Sequence, residues 1–149
     1  MKALVLCAGY GTRLGGLTRE VPKPMLPICG KPLLAYTIQY LVHHGFDNIA
    51  INLHFKPDMI TGYFGNGQDW GAHIHYSYEE QLLGTAGAVK NIESFFLDVD
   101  HFLIIYGDLL IDQDLQEMWS SHKLNRASAT LLVHQRKRSN SLIRLEENG

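Results

Sequence analysis

The strongest constraint on the fold is an alternation of short apolar runs with segments whose apolar residues recur at helical spacing. Residues 2–8 form a continuous apolar run, which is typical of a strand buried on both faces of a sheet. Residues 33–44 have apolar residues at helical spacing, and Gly45 follows where a helix would end. The same criteria predict strands at 49–53, 73–78, 101–106 and 127–134, the start of a strand at 142–145, and helices at 57–64, 85–96 and 112–123. This order predicts an α/β fold, a Rossmann-like, mostly parallel sheet with helices on both faces.

Length, charge and cysteine content narrow the class of protein. A chain of 149 residues has the size of one domain. Its 13 Lys and Arg oppose 15 Asp and Glu, and a net charge of −2 argues against coating nucleic acid or an acidic membrane. Cys7 and Cys29 are too few for a disulfide framework, and no apolar run approaches the roughly 18 residues of a membrane span. We therefore expect a cytoplasmic protein. The sequence leaves its oligomeric state open, and a homo-oligomer is one alternative.

A long loop rich in glycine and proline follows the first strand, from Gly9 to Pro32. Glycines just past the carboxyl end of a parallel strand let the backbone approach a ligand closely, and exposed N–H groups there bind anions. Arg13 adds a planar donor suited to phosphate oxygens, and Lys23 lies between two prolines that stiffen its loop. The loop therefore predicts a phosphate site, with both basic side chains facing solvent while the site is empty.

Two common phosphate-binding patterns do not fit this loop. The G-x-G-x-x-G dinucleotide pattern requires a glycine at the position of Leu14. The P-loop pattern requires serine or threonine after its Gly-Lys pair, and Pro32 stands there instead. If only the first two glycines are considered, a non-functional interpretation stays possible: a turn-rich loop whose basic residues are incidental.

The full stretch from Gly9 to Pro27 resembles the signature of the sugar-phosphate nucleotidyltransferases, the NDP-sugar pyrophosphorylases. That signature is G-x-G-T-R-[LM], followed about ten residues later by P-K-P. The matching residues are Gly9, Gly11, Thr12, Arg13, Leu14, Pro22, Lys23 and Pro24. The whole stretch is far more specific than a pair of glycines.

Two further motifs follow in the order found in that family. The segment from Glu79 to Gly87 is similar to the E-x-x-x-L-G-T-A-G segment of the mannose-1-phosphate guanylyltransferase branch. Small residues at a helix start would let a flat base lie against the backbone. The run Tyr106-Gly107-Asp108 ends a predicted buried strand, so the carboxylate is expected at the carboxyl edge of the sheet, near the glycine loop.

The resemblance implies transfer of a nucleotidyl group from an NTP to a sugar 1-phosphate, which yields an NDP-sugar and pyrophosphate. It implies that Arg13 neutralises the leaving pyrophosphate, that Lys23 stabilises charge at the α-phosphate, and that Asp108 binds Mg²⁺, a hard cation suited to carboxylate oxygen. The residues implied to bind the nucleotide are Ala8, Gly9, Gly11, Thr12, Arg13, Lys23, Glu80, Gly84 and Thr85.

The substrates and the extent of the domain are the open questions. The leading hypothesis is GTP with mannose 1-phosphate. The alternatives are heptose with GTP, N-acetylmuramate with UTP, and a non-catalytic nucleotide-sensing paralogue. Residues 1–149 are expected to be the nucleotide-binding N-terminal part of a nucleotidyltransferase domain, without its later sugar contacts. This chain alone is therefore expected to bind nucleotide weakly and not to turn over.

Overall fold

A computed structural model describes residues 1–134 and Ile143. The chain divides into two compact units, Met1–Gln113 and Asp114–Gly149. In chain order the elements are β1 (Lys2–Leu6), β2 (Pro27–Ile28), β3 (Lys31–Pro32), α1 (Leu33–His43), β4 (Asn48–Leu53), α2 (Pro57–Phe64), β5 (His73–Tyr78), α3 (Gly84–Asn91), β6 (Leu103–Tyr106) and α4 (Leu115–Leu124). Short 3-10 helices lie at Thr12–Thr18, Lys23–Met25, Gln68–Trp70 and Glu93–Phe96.

Four strands of the first unit form one parallel sheet in the order β5-β4-β1-β6. Strands β2 and β3 form a separate antiparallel pair within the long loop. The central strands β1 and β4 are the most buried of the four, because both of their faces are covered. The predicted α/β fold with a mostly parallel sheet is confirmed.

Helices cover both faces of this sheet. Leu4 of β1 packs in a buried cluster with Ile92 and Phe96, which follow α3. A methyl group built on Gly107 would lie 3.1 Å from Val5 Cγ1 and 3.4 Å from Leu34 Cδ1 of α1. Because neighbouring residues of a strand point to opposite faces, α1 and the α3 region lie on opposite sides of β1.

The strand predicted at 127–134 is wrong. The structure describes these residues as irregular chain after α4, and Arg126 has a left-handed φ of 49°. Their composition favours a strand, but a strand also needs a hydrogen-bonded neighbour, and the sheet strands described here are β1, β4, β5 and β6. The strand start predicted at 142–145 lies outside the described residues except for Ile143, which is not in a strand.

Element boundaries shift where a local signal overrides periodicity. The helix predicted at 85–96 is broken at Ile92, whose φ of −111° separates α3 from the following 3-10 turn. The helix predicted from residue 112 begins later because Asp114 is its N-cap. Its carboxylate accepts hydrogen bonds from the backbone N–H of Gln116 at 2.8 Å and Glu117 at 3.3 Å. Within the described residues, every helix is too short or too polar to cross a membrane.

Candidate nucleotide site

Four segments leave the same edge of the sheet, and three of them carry predicted site residues. Because all four sheet strands are parallel, their carboxyl ends lie together. The glycine loop (residues 8–13) follows β1, His54 follows β4, the GTAG segment (residues 79–87) follows β5, and Asp108 follows β6. The predicted convergence of the glycine loop, the GTAG segment and Asp108 is found at this edge.

The glycine loop is folded tightly at Gly11 and open at Gly9. Gly11 has a left-handed φ of 66°, and a methyl group on it would lie 3.0 Å from Thr18 Cγ2 and 3.1 Å from Lys23 Cβ. Its carbonyl accepts hydrogen bonds from Leu14 N and Thr18 Oγ1, both at 3.0 Å. A methyl group on Gly9 would meet nothing within 4 Å. A side chain would therefore strain Gly11, whereas Gly9 leaves room for a ligand to approach the backbone.

The glycine loop leads directly into a short 3-10 helix. That helix starts at Thr12 and continues through Arg13, and both residues are exposed. The first N–H groups of a helix have no partner within the helix, so they are available to an anion. Ala8, by contrast, is 6% exposed and fixes the start of the loop in the core.

Lys23 and Asp108 form an ion pair, although 85 residues separate them in the sequence. Lys23 begins a 3-10 turn after Pro22, whose side chain is fully buried, and Met25 N donates to Pro22 O at 2.8 Å. The two side chains are 34% and 29% exposed. Arg13 is exposed as predicted, whereas Lys23 is only partly exposed, and its ammonium group pairs with the Asp108 carboxylate.

The GTAG segment places its small residues at an exposed helix start. Helix α3 begins at Gly84, which has a left-handed φ of 71° that a side chain would strain. Thr85 and Glu80 are exposed. The Thr85 and Tyr106 hydroxyl groups form a hydrogen bond of 3.3 Å, which ties this segment to the end of β6. The GTAG segment therefore contacts the end of β6, two residues before Asp108.

A buried polar network beneath these loops was not predicted. Asn52 is 4% exposed and Glu79 is 5% exposed. Asn52 Oδ1 accepts from Cys7 N at 2.7 Å, and Asn52 Nδ2 donates to Glu79 Oε1 at 2.8 Å. Glu79 Oε2 accepts from Leu83 N at 3.0 Å. One signal was present in the sequence: an asparagine inside an otherwise apolar strand needs buried hydrogen-bond partners.

The donor set suits Mg²⁺ held jointly with a ligand. In the part of the chain that the structure describes, no three His, Cys, Asp or Glu side chains form a ready-made metal cluster. Asp108 offers one carboxylate at the mouth of the site. Mg²⁺ is commonly bound by one or two carboxylates together with substrate phosphates and waters. A single carboxylate near the glycine loop, the predicted phosphate site, fits that requirement.

The two cysteines are expected to differ sharply in reactivity. Cys7 is buried, and burial raises the pKa of its thiol, with a further increase from the negative charge of Asp108. Cys29 is exposed. Because the thiolate is the reactive form, iodoacetamide should modify Cys29 and spare Cys7 in the folded chain, and modify both in urea. Peptide mass spectrometry measures this, and equal labelling of the native protein would contradict the buried position of Cys7.

Comparisons with known proteins agree with this arrangement. The family model described as "Nucleotidyl transferase" matches residues 2–142. The chain is 40% identical over 144 residues to a UTP–glucose-1-phosphate uridylyltransferase of Synechocystis, covering 89% of this chain and 37% of that protein. It is 39% identical to a D-glycero-alpha-D-manno-heptose 1-phosphate guanylyltransferase of Aneurinibacillus thermoaerophilus, covering 89% and 57%. The chain belongs to the nucleotidyl transferase family.

Further relatives support the same assignment. A mannose-1-phosphate guanylyltransferase of Mycobacterium tuberculosis is 36% identical, with 87% of this chain and 36% of that protein covered. The crystal structure of HddC from Yersinia pseudotuberculosis superposes with a TM-score of 0.73 at 30% identity, covering 81% of this chain and 53% of that one. The chain spans between 36% and 57% of the length of these curated relatives.

Proposed function

We propose that the protein transfers a nucleotidyl group from an NTP to a sugar 1-phosphate. The observation that carries this proposal is the meeting of the open glycine loop, the Lys23–Asp108 pair and the exposed GTAG segment at one sheet edge. The family membership and the names of the relatives support the same chemistry. A purely structural set of loops would not need an acid, a base and two glycines in the left-handed conformation at one sheet edge.

The proposed reaction needs no general base. A phosphate oxygen of the sugar 1-phosphate is already ionised near neutral pH and attacks the α-phosphorus of the NTP. A new oxygen–phosphorus bond forms, the bond from the α-phosphorus to the bridging oxygen breaks, and pyrophosphate leaves with that electron pair. Catalysis then consists of positioning the reactants and neutralising charge, which is the general requirement of phosphoryl-type transfer.

Each predicted residue has a place in this proposal. Backbone N–H groups from Gly9 to Thr12 bind the triphosphate, and Arg13 neutralises the leaving pyrophosphate. Lys23 leaves Asp108 for the α-phosphate when nucleotide enters, which exchanges one anionic partner for another. Asp108 would be the residue that holds Mg²⁺ when the ion is bound. The metal ion supplies screening of the repulsion between two anionic substrates.

The identities of the base and the sugar are also proposals, which the GTAG segment and the names of the relatives support. We retain GTP and mannose 1-phosphate as the leading pair. Heptose with GTP is supported by one relative's name, and a uridylyltransferase among the relatives keeps UTP as an alternative base, with N-acetylmuramate as one acceptor. Glu80, Gly84 and Thr85 are proposed to border the base. A cytoplasmic location and a homo-oligomer remain predictions.

The described site is proposed to be the nucleotide half of the whole. It offers the Asp108 carboxylate, and no three His, Cys, Asp or Glu side chains of the described residues form a metal cluster there. In-line transfer requires both reactants to be held at attack distance. Residues 1–149 should therefore bind nucleotide weakly and make little product.

Two measurements test the proposal. Residues 1–149 are titrated calorimetrically with GTP, UTP, ATP and CTP in the presence of Mg²⁺, and pyrophosphate release is followed with mannose 1-phosphate, heptose 1-phosphate or N-acetylmuramate 1-phosphate. We expect saturable binding of one NTP with little turnover. Absence of binding for all four NTPs would contradict the proposed function. Rapid NDP-sugar synthesis by residues 1–149 would instead contradict the half-site proposal alone.

A further inference from the structure

The buried Asn52–Glu79 pair connects the two loops that are proposed to bind opposite ends of the nucleotide. Asn52 Oδ1 accepts the N–H of Cys7, the residue just before the glycine loop, at 2.7 Å. Glu79 Oε2 accepts the N–H of Leu83, the residue just before α3, at 3.0 Å. The two side chains join at 2.8 Å. Three consecutive hydrogen bonds therefore link Cys7 N to Leu83 N, the first two joining the glycine loop to Glu79 and the third lying within the GTAG segment.

A second connection joins the same loops through His54. His54 Nδ1 lies 2.7 Å from the carbonyl oxygen of Glu79, so this nitrogen must carry the proton. In the neutral ring Nε2 then accepts from the Tyr10 hydroxyl group at 2.6 Å. Tyr10 belongs to the glycine loop, so Glu79 is connected to that loop through both its side chain and its backbone.

The chain of hydrogen bonds has a fixed polarity. Cys7 N and Leu83 N can only donate, so each loop requires an acceptor from the pair. The amide of Asn52 supplies one acceptor and one donor, and the carboxylate of Glu79 supplies two acceptors. Each of the three donor nitrogens, Cys7 N, Asn52 Nδ2 and Leu83 N, has an acceptor in this arrangement. Reversing the asparagine amide would place its NH₂ group against Cys7 N, so that two donors face each other. Each loop position therefore depends on the chemistry of both side chains.

We infer that Asn52 and Glu79 are positioning residues that set the spacing between the glycine loop and the GTAG segment, and thereby the fit of a nucleoside triphosphate spanning both. This inference rests on the proposed function. Neither side chain reaches the site opening, since both are buried, so they act through Cys7 N and Leu83 N. A ligand that touches only the glycine loop should be insensitive to that spacing.

The polarity of the network allows a test by exchange of groups. Glu79→Gln leaves one acceptor for two donors, so either Leu83 N or Asn52 Nδ2 loses its acceptor, whichever way the new amide turns. Asn52→Asp places two carboxylates against each other. The double variant Asn52→Asp/Glu79→Gln restores every hydrogen bond, because the new carboxylate at position 52 accepts from Cys7 N and from the new amide at position 79. That amide oxygen then accepts from Leu83 N, and the net charge of the chain is unchanged.

The experiment compares two probes on the 149-residue chain and its variants. The first is the nucleoside triphosphate that the wild type binds most tightly of the four, and the second is inorganic tripolyphosphate, which has no base. We expect Glu79→Gln and Asn52→Asp to weaken nucleotide binding by about tenfold, the scale of one buried hydrogen bond, and to leave tripolyphosphate binding unchanged. The double variant should recover nucleotide binding. Glu93→Gln makes the same chemical change at an exposed site and should match the wild type.

The possible results separate the inference from the proposed function. Wild-type nucleotide affinity in Glu79→Gln would overturn the positioning role. So would a double variant that binds the nucleotide no more tightly than the weaker-binding single variant. An equal loss for tripolyphosphate would also overturn it, because a general loss of structure lowers both affinities. If the wild type binds tripolyphosphate but no nucleotide, the proposed function fails and the inference fails with it.

Discussion

Replacing Lys23 with alanine is expected to raise the barrier for kcat/KM by about 2–4 kcal/mol, the usual effect of losing one preorganised charge contact. The expectation follows from the position of its ammonium group beside Asp108, where the α-phosphate and the metal ion are proposed to meet. Arg13→Ala should fall in the same range through the leaving pyrophosphate. The measurement is steady-state pyrophosphate release by the protein that carries this chain.

The same substitution should change the free energy of unfolding little. The Asp108 side chain is 29% exposed, so water replaces part of what Lys23 supplies, and partly exposed ion pairs contribute about 1 kcal/mol or less. Lys90→Ala is the matched control, because it also removes a lysine that pairs with an acid, but on the exposed surface. It should leave both kcat/KM and the free energy of unfolding close to their wild-type values. Wild-type turnover in Lys23→Ala would contradict its role at the α-phosphate.

Gly107→Ala is expected to give the largest loss of stability among single methyl additions at the site. The new methyl group would overlap Cys7 Sγ and lie 3.1 Å from Val5 Cγ1 and 3.4 Å from Leu34 Cδ1. These side chains are buried in the core, so they cannot move towards solvent to make room for the methyl group. Overpacking of this kind costs about 1–3 kcal/mol. The midpoint of urea unfolding measures it.

Two further variants make the cause of this effect testable. Cys7→Ala removes the overlapping sulfur. The double variant Gly107→Ala/Cys7→Ala should therefore lose less free energy of unfolding than the sum of the losses in the two single variants. Gly62→Ala is the matched control: it lies in α2, and a methyl group there would meet nothing within 4 Å. It should be neutral or slightly stabilising. An unchanged unfolding midpoint for Gly107→Ala would contradict the close packing beneath Asp108.

The order of elements and the location of the site could be predicted because they depend on local patterns. Apolar runs mark β1 and β4, and parallel strands bring their carboxyl ends together whatever the loops contain. The glycines and Asp108 follow those strands directly in the sequence. Residues 127–134 show the limit of this reasoning: their composition favours a strand, but only pairing with a neighbour makes one.

The contacts that tune the site could not be predicted because they join distant parts of the chain. Lys23 and Asp108 are 85 residues apart, and nothing local to either residue indicates that they meet. The motif in the sequence begins at Glu79, but the resemblance implies a nucleotide contact only for its neighbour Glu80, which is exposed. Only the three-dimensional structure reveals that Glu79 is buried and bound to Asn52, 27 residues away.

The central claim is that nucleotide lies across the glycine loop and the GTAG segment at the carboxyl edge of the sheet. The most direct test is an NMR titration of the ¹⁵N-labelled 149-residue chain with Mg²⁺ and the NTP that it binds most tightly. We expect the largest amide shift changes at Gly9, Gly11 and Thr12, and at Gly84 and Thr85. Saturable binding that leaves these amides unshifted, and moves amides elsewhere in the sheet instead, would contradict the account.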